Sequence, residues 1–485
     1  MSTIVDTAAS AAGAPEGAAP LYLRIADGIT QQMAVGALRP GDRVPSLRQV
    51  SRQQGVSMST ALQAYLWLET RGYLEARPQS GFFVRAPFAT LIPEPRFEAK
   101  PTPPTVIGTR AILSDIMASA IDPANVPFGA GGADPHLFPS RRLNQILRRV
   151  VRESPQHSMH YIFPPGFEPL RRQIARRASA AGCRYSPDEV TITCGALEAV
   201  NLALRAVARP GDVIAVESPT YFGVLESIAS LGMRVIEIPT HPQNGMDLDA
   251  LERAIRKHRV KAVLVLSNCH NPLGYVLTDD YKKSLVDLAT RWDVPVIEDD
   301  VYGDLTFQGP RPRTAKSYDR KGLVLLCASI SKILCPGFRL GWVAAGRYRA
   351  DVERLKLVTN VSSPPLPQMV IAEFLESGGY DRHLTRLRTT LAGQVEMVRQ
   401  AVAKYFPDGT RVSRPAGGYM LWIELPPRVD AVKLHRAALA EHISILPGLI
   451  FSATGGFKNH IRINCGMRWT PTVDRALVTL GRLAR

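Results

Sequence analysis

The chain has 485 residues, of which 45% are hydrophobic and 21% are charged, and its formal net charge is +16. This composition is typical of a soluble globular protein, the length predicts about two to four domains, and the charge permits an anionic partner such as nucleic acid. The sequence has no run of 18 apolar residues and no basic, apolar leader, so neither a transmembrane helix nor a signal peptide is expected. Six cysteines without CxxC spacing favour a reduced, cytoplasmic protein without a metal site.

The N-terminal part of the chain divides into a tail and a compact unit. Residues 1–18 are predicted to form a disordered tail. Residues 19–86 show three helical segments and a short hairpin; the second helix is predicted from Ser46 and the third is capped by Ser57 or Ser59. Helix, turn, helix and a two-stranded wing is the order of a winged helix-turn-helix, whose third helix enters the major groove of DNA.

This unit has the charge of a DNA-binding module. Residues 21–85 contain eight arginines, no lysine and four acidic residues, which gives a net charge of +4. Arg48, at the start of the second helix, can reach a backbone phosphate or a base edge. The candidate DNA contacts are Arg43, Ser46, Arg48, Ser57, Ser59, Thr60, Gln63, Arg77 and Gln79. The alternative is a three-helix protein-interaction module with a solvated arginine face.

Two changes in sequence pattern follow. Residues 86–110 contain six prolines and no apolar periodicity, and a linker is therefore predicted over residues 87–114. From residue 115 to residue 485 short β-branched runs alternate with helical segments, which predicts a large, mainly parallel sheet with helices on both faces. A smaller C-terminal α+β part is expected from about residue 365. The predicted fold class is therefore α/β, preceded by the winged helix-turn-helix.

Side chains suited to one cofactor follow the predicted strands. Pyridoxal 5′-phosphate (PLP) needs a lysine for its aldehyde, a carboxylate for its ring nitrogen, and hydroxyls, an arginine and a helix N-terminus for its phosphate. The candidates are Gly195, Ala196, Leu197, Tyr221, Asn271, Asp299, Tyr302, Ser329, Ser331, Lys332 and Arg339. They come at the C-terminal ends of predicted strands, where open α/β sheets bind ligands.

The order of these motifs resembles that of the fold-type I aminotransferases. The motifs are the glycine of TCGALEA, then P-x-Y, N-P-x-G, D-x-x-Y, S-x-S-K and P-G-x-R-x-G. The resemblance implies the covalent link to PLP for Lys332, the pyridine nitrogen for Asp299, the ring hydroxyl for Asn271 and Tyr302, ring stacking for Tyr221, and the phosphate for Ser329, Ser331 and Arg339. PLP is accordingly the expected cofactor.

The same resemblance adds two residues and one departure. Tyr161, in HYIFPPGFEPLRR, resembles the tyrosine that reaches the phosphate from a partner subunit, and Arg462, in HIRINCG, matches the arginine that binds an α-carboxylate. Many relatives have Ser-Gln where this chain has Ala196-Leu197. The backbone donors remain there, but the side-chain donors to the phosphate are lost, which favours reversible binding.

The N-terminal unit resembles the GntR-type winged helix-turn-helix through PGDRVPSLRQV, GVSMSTALQAYLWLETRGYLEA and SGFFV. It departs from that family at Met58, where arginine is common. Joined in this order, the two halves resemble the MocR subfamily of GntR regulators. That resemblance implies a homodimeric transcription factor that binds a double-stranded DNA operator and responds to PLP or a small amino compound.

The alternative is a working aminotransferase that carries a DNA-binding arm. Lys332, Asp299, Tyr302 and Arg462 are all retained, so no group needed for amino transfer is missing. Sensing through a PLP–amine adduct needs the same groups, and the sequence leaves both functions open. Effector identity, target genes and the sign of regulation cannot be read from it.

Overall fold

The computed structural model describes residues 21–34, 37–38, 41–70, 73–77, 80–84, 92–96, 102–107, 110–242 and 244–485. These residues fall into two compact units, one ending at residue 84 and one beginning at residue 92. The predicted tail, the candidate DNA contact Gln79, and the linker residues 87–91, 97–101 and 108–109 lie outside the described residues.

The described part of the N-terminal unit consists of helices and one hairpin. Its elements are α1 (Leu21–Ala34), α2 (Leu47–Gln54), α3 (Met58–Thr70), β1 (Leu74–Arg77) and β2 (Gly81–Val84). Ser46 caps α2 by accepting a hydrogen bond from the backbone N–H of Gln49 at 3.3 Å. Ser57 caps α3 by accepting one from the backbone N–H of Thr60 at 3.1 Å, so of the two predicted caps it is Ser57 that acts.

Tyr65 lies at the centre of the core of this unit. Its side chain is fully buried, its hydroxyl donates to the carbonyl oxygen of Pro45 at 2.6 Å, and its ring meets Phe82 of the hairpin edge-on at 5.1 Å. Trp67 packs against the same core. Tyr65 of α3 therefore joins the helices to the hairpin.

The C-terminal unit combines helices with two sheets. Its helices are α4 (Arg110–Ile121), α5 (Ser140–Glu153), α6 (Glu168–Ala178), α7 (Ala196–Val207), α8 (Phe222–Ser230), α9 (Leu248–His258), α10 (Asp279–Trp292), α11 (Arg349–Asn360), α12 (Pro365–Glu376), α13 (Gly379–Tyr405), α14 (Ala431–Ala440) and α15 (Pro471–Leu483). No helix in the described part of the chain is both long and apolar enough to cross a membrane.

The strands of the larger sheet are β3 (Val190–Thr193), β4 (Val213–Ser218), β5 (Arg234–His241), β6 (Gly245–Met246), β7 (Ala262–Val265), β8 (Val296–Asp299), β9 (Val324–Ser329) and β10 (Gly341–Ala344). Their order is β3-β10-β9-β8-β7-β4-β5-β6. Neighbours from β9 to β5 are parallel, while β10 is antiparallel to both β9 and β3, and β6 is antiparallel to β5. The parallel strands bring the ends of β8 and β9, which carry Asp299 and Ser329, to one edge of the sheet.

A smaller antiparallel sheet follows in the C-terminal part. Its strands are β11 (Arg411–Val412), β12 (Met420–Glu424), β13 (Leu446–Pro447) and β14 (His460–Asn464), in the order β11-β12-β14-β13. Apolar side chains of α13, α14 and α15 pack against it. Arg462 is the middle residue of β14 and pairs with Trp422 of β12. Arg462 and Lys332 therefore belong to different sheets or their loops.

The predicted linker overlaps the first helix of the C-terminal unit, since residues 110–114 form the start of α4. The other described parts of the linker, residues 92–96 and 102–107, are bound to the C-terminal unit, and we refer to them as the docked segments. The backbone N–H of Val412, on the edge strand β11, donates to the carbonyl oxygen of Pro93 at 3.0 Å. Farther on, Thr105 and Val235 exchange two backbone hydrogen bonds of 2.8 and 3.0 Å. The carbonyl oxygen of Pro93 and the backbone groups of Thr105 thus pair with the edges of both sheets, where the sequence pattern predicted only a linker.

Candidate functional site

A pocket opens at the C-terminal edge of the larger sheet. Its lining includes the predicted residues Ala196, Leu197, Tyr221, Asn271, Asp299, Tyr302, Ser329, Ser331, Lys332, Arg339 and Arg462. Gly195 immediately precedes α7, with φ +86°, and a Cβ built there would lie 2.5 Å from Nη2 of Arg339. Tyr161 does not line the pocket of its own chain; its side chain is 72% exposed.

Sequence reasoning missed several lining residues: Met117, Gly129, Gly131, Phe222, Leu266 and Val301. The glycine-rich run FGAGGADP was a visible signal for two of them, since closely spaced glycines let backbone approach a ligand. Met117 on α4 carried no such signal, because one methionine in an apolar helix is indistinguishable from a core residue.

Lys332 lies in the wall of the pocket. Its Nζ donates to the carbonyl oxygen of Gly131 at 2.6 Å and is 6.0 Å from the ring centroid of Tyr302. Removal from water lowers the pKa of this lysine to about 8; nearby Arg462 and Arg339 also lower it, while Asp299 opposes the change. A lysine of this kind offers a neutral amine to an aldehyde much closer to neutral pH than an ordinary lysine does.

Asp299 ends β8 and faces the same pocket. Burial raises the pKa of its carboxyl to about 7, against the hydrogen bond from the backbone N–H of Val301 at 3.3 Å, which lowers it. The positive charge of Lys332 lowers this pKa as well. A protonated ring nitrogen next to Asp299 would favour the ionised carboxylate for the same electrostatic reason.

An anion-binding corner lies at the start of α7. The helix begins at Ala196 and has no side-chain cap, so the N–H groups of its first turn are left for a ligand, and Ala196 and Leu197 line the pocket. Arg339 contributes a guanidinium that donates to Ser331 Oγ at 3.5 Å and to the carbonyl oxygen of Cys194 at 3.2 Å. Ser329 Oγ accepts from the backbone N–H of Ser331 at 3.1 Å. Backbone donors, hydroxyls and one arginine together suit a phosphate group.

Arg462 enters the pocket from the smaller sheet. It is 1% exposed, its Nη2 donates to the carbonyl oxygen of Gly129, and its Nη1 lies 2.9 Å from Sδ of Met420. Its Nε has no partner among the described residues. A buried guanidinium with no carboxylate partner in the described structure is suited to a carboxylate brought by a ligand.

The candidate DNA contacts occupy the surface of the N-terminal unit. Arg43, Ser46, Arg48, Ser57, Ser59, Gln63 and Arg77 are exposed, and Thr60 is half-buried. Arg77 is paired with Glu75, its Nε lying 2.7 Å from Oε1, and it stacks over the ring of Phe83 at 4.3 Å. Met58 and Leu62 on α3 are also exposed, at 45% and 40%. The sequence pattern marked Met58 as a departure from the GntR family, but it did not single out Leu62.

Two protein families match the chain. Residues 21–84 match the bacterial regulatory proteins of the gntR family, and residues 136–480 match the aminotransferases of class I and II. The Escherichia coli (strain K12) HTH-type transcriptional regulator YdcR is 40% identical over 95% of this chain and 98% of its own length. YjiR of the same organism is 37% identical over 95% and 98%. These matches confirm the predicted fold class.

Solved structures resemble the C-terminal unit. The multiple substrate aminotransferase from Thermococcus profundus is 27% identical, with a TM-score of 0.71 over 76% of this chain and 94% of that one. The α-aminoadipate aminotransferase LysN from Thermus thermophilus, complexed with N-(5′-phosphopyridoxyl)-L-leucine, is 26% identical, with a TM-score of 0.70 over 78% and 98%.

The aminotransferase family and the phosphopyridoxyl complex of LysN indicate PLP as the cofactor of this fold. The pocket fits that group. A glycine at position 195 leaves room for the Arg339 guanidinium, which a Cβ there would displace. Oδ1 of Asn271 is buried without a partner among the described residues. Since amide oxygen and nitrogen are assigned by their partners, Asn271 can turn either group towards a ring hydroxyl.

Proposed function

Because the chain belongs to the MocR subfamily of GntR-type transcriptional regulators, we propose that PLP, alone or joined to an amino compound, is the signal that changes its binding to operator DNA. One observation carries the proposal: Lys332 and Arg462, supplied by different sheets, line one pocket. Lys332 suits an aldehyde and Arg462 suits a carboxylate, so a PLP-bound amino acid would engage both.

The residues of the pocket divide the work. PLP supplies an aldehyde and an electron-withdrawing ring. Lys332 would provide the amine for the aldehyde, and Asp299 would hold the proton on the ring nitrogen. Asn271 and Tyr302 bind the ring hydroxyl, and Tyr221 stacks on the ring. Ser329, Ser331, Arg339 and the N–H groups of Gly195, Ala196 and Leu197 bind the phosphate.

The regulator acts as a homodimer. Met159, Tyr161 and Phe163 are 82%, 72% and 56% exposed on one loop, and such a cluster of exposed apolar side chains supports a protein interface. In a dimer Tyr161 reaches the phosphate held by the second subunit. Two copies of α3 then read paired half-sites of an operator.

A ligand changes DNA affinity only if it binds the DNA-competent arrangement more tightly than the other arrangement. A ligand held by Lys332 on the larger sheet and by Arg462 on the smaller one favours one relative position of the two sheets. PLP alone contacts chiefly the larger sheet. Arg462→Ala therefore separates the two effectors: it removes the response to an amino acid and preserves the response to PLP alone.

The test uses Lys332→Ala in the full chain. The native protein gains visible absorbance with PLP, and its Kd for DNA from the region upstream of its own gene changes by about fivefold or more. Lys332→Ala gains no absorbance, keeps basal DNA binding and loses the change in Kd. Lys283→Ala, at an exposed lysine of α10, is the matched control. A Lys332→Ala protein that responds to PLP like the native chain contradicts the proposal.

A working aminotransferase is the second candidate, favoured by the convergence of Lys332, Asp299, Tyr302 and Arg462 in one pocket. The discriminating measurement supplies PLP, an amino acid and a 2-oxo acid. Repeated amino transfer over many turnovers indicates an enzyme. A stable PLP–amine adduct accompanied by altered DNA binding indicates a sensor.

A further inference from the structure

A carboxylate lies in the first turn of α7, next to the N–H groups assigned above to the cofactor phosphate. Glu198 Oε2 accepts a hydrogen bond from the backbone N–H of Cys194 at 2.5 Å, and the Glu198 side chain is 13% exposed. Arg339 binds the carbonyl oxygen of the same Cys194 at 3.2 Å. Glu198 thus binds the N–H of Cys194 while Arg339 binds its carbonyl oxygen. Together they fix the path of the backbone into α7.

Two residues of α11 bind this carboxylate from the other side. Lys356 Nζ lies 2.9 Å from Oε2 of Glu198, and Lys356 is only 1% exposed. Asn360 Nδ2 donates to Oε1 of Glu198 at 2.5 Å. The buried lysine and the carboxylate form one neutral pair, and Asn360 and the N–H of Cys194 also donate to the carboxylate; pairing of this kind is the condition for tolerating buried charge.

This pair affects the phosphate corner electrostatically. A phosphate gains from the N–H groups and the dipole at a helix N-terminus, but an unpaired carboxylate in the same turn would repel it, with little screening away from solvent. The positive charge of Lys356 cancels that repulsion. Removing this repulsion matters more in this chain than in relatives with Ser-Gln at these positions, because Ala196 and Leu197 give the phosphate no side-chain donors.

We propose that Glu198 and Lys356 are positioning residues of the phosphate subsite. Glu198 fixes the backbone between Cys194 and Ala196, and Lys356 neutralises Glu198, so that the pocket prefers the phosphorylated form of its cofactor. The proposal rests on the proposed function in one respect: the phosphate must bind at the start of α7.

The test compares PLP with pyridoxal, which has the same ring and aldehyde but no phosphate. In the full chain Lys356→Met leaves Glu198 charged and unpaired. We expect the Kd of this variant for PLP to rise by about tenfold, equivalent to ~1.4 kcal/mol. Pyridoxal has no phosphate for Glu198 to repel, so its Kd should stay within about twofold of the native value. Binding is followed by visible absorbance, and inorganic phosphate serves as a competitor.

Glu198→Gln gives the opposite sign. The glutamine oxygen still accepts from Cys194, Asn360 can turn its amide to present its oxygen, and Lys356 becomes an uncompensated cation beside the phosphate. The Kd for PLP therefore stays the same or falls. A purely structural pair predicts weaker binding in both variants, and for both ligands.

Three results overturn the inference. The first is native affinity for PLP in Lys356→Met, and the second is an equal loss of affinity for PLP and for pyridoxal in that variant. The third is a loss of affinity for PLP, but not for pyridoxal, in Glu198→Gln. If Lys356→Met does not fold, Glu198→Gln still decides by its sign. Arg339→Ala tests the underlying phosphate site separately. If Arg339→Ala binds PLP and pyridoxal as the native chain does, the proposed phosphate site itself is wrong; a loss of PLP selectivity there but not in Lys356→Met overturns only the role of the pair.

Discussion

Lys332 combines two properties that seldom occur together in a lysine. Its amine is held in place by the carbonyl oxygen of Gly131, and its pKa is lowered to about 8 by burial and by two arginines. At pH 7 about one-tenth of such a lysine is neutral, compared with about 4 in 10,000 for a lysine with the ordinary pKa. The same two arginines are the groups proposed to bind the phosphate and the carboxylate.

The lowered pKa predicts how PLP binding depends on pH. The covalent step needs the neutral amine, so its rate should rise with pH and level off above about pH 8, where Lys332 has lost its proton. Stopped-flow absorbance with PLP between about pH 6 and pH 10 measures this profile. A rate that still climbs at about pH 10 would show that Lys332 has an ordinary pKa.

Single residues also show where sequence reasoning ended. Lys332, Asp299 and Arg339 could be predicted because each belongs to a local motif that follows a strand. Glu198 and Lys356 could not, since 158 positions separate the two charges and each alone resembles a solvated helix residue. Only the packing of α11 on α7 makes them a pair.

At the scale of elements, α2 and α3 present different chemistry to solvent. The second helix carries arginine at its exposed start, while the third carries Ser59 and Gln63 beside the exposed Met58 and Leu62. Arginine binds phosphate largely regardless of base sequence. Apolar side chains in a major groove contact thymine methyl groups. Helix α2 is thus suited to positioning the protein on the DNA backbone, and α3 is suited to reading the base sequence.

The role of α2 can be measured through salt. Arg48→Ala should weaken DNA binding for all sequences and reduce the slope of log K against log salt concentration by roughly one unit, because one phosphate contact is lost. The PLP absorbance should not change. Arg24→Ala, at an exposed arginine of α1, is the control. Unchanged DNA affinity in Arg48→Ala would refute the assignment of α2 to the DNA surface.

The strands and helices were largely predictable, but the docked segments were not. Alternating β-branched and helical runs predict the larger sheet because each run folds locally and buries its own apolar face. The segments around Pro93 and Thr105 have no such periodicity. They are held by backbone hydrogen bonds with Val412 and Val235. Such bonds do not require particular side chains, so the sequence pattern does not reveal them.

At the scale of the whole molecule, the proposed homodimer would place Tyr161 in the pocket of the other subunit. Tyr161→Phe would remove the hydrogen bond proposed to reach the phosphate, and it should raise the Kd for PLP by about tenfold. A mixed dimer of a Tyr161→Phe chain and a Lys332→Ala chain contains one pocket with both residues intact. That mixed dimer should bind one PLP with native affinity.

The control for this complementation pairs Tyr161→Phe with a chain that carries both substitutions, since no Tyr161 is then present. If the first mixed dimer binds PLP as weakly as the Tyr161→Phe homodimer, Tyr161 does not act across a subunit interface. Sedimentation of each mixture establishes the oligomeric state independently.

The docked segments give the molecule a mechanical property. The first docked segment is bound to β11, on the sheet that holds Arg462, and the second is bound to β5, on the larger sheet, whose strand β9 leads to Lys332. The docked segments are therefore bound to the same two sheets that a ligand on Lys332 and Arg462 would contact. A change in the relative position of the two sheets would therefore act on the backbone hydrogen bonds at Pro93 and Thr105 as well as on the pocket.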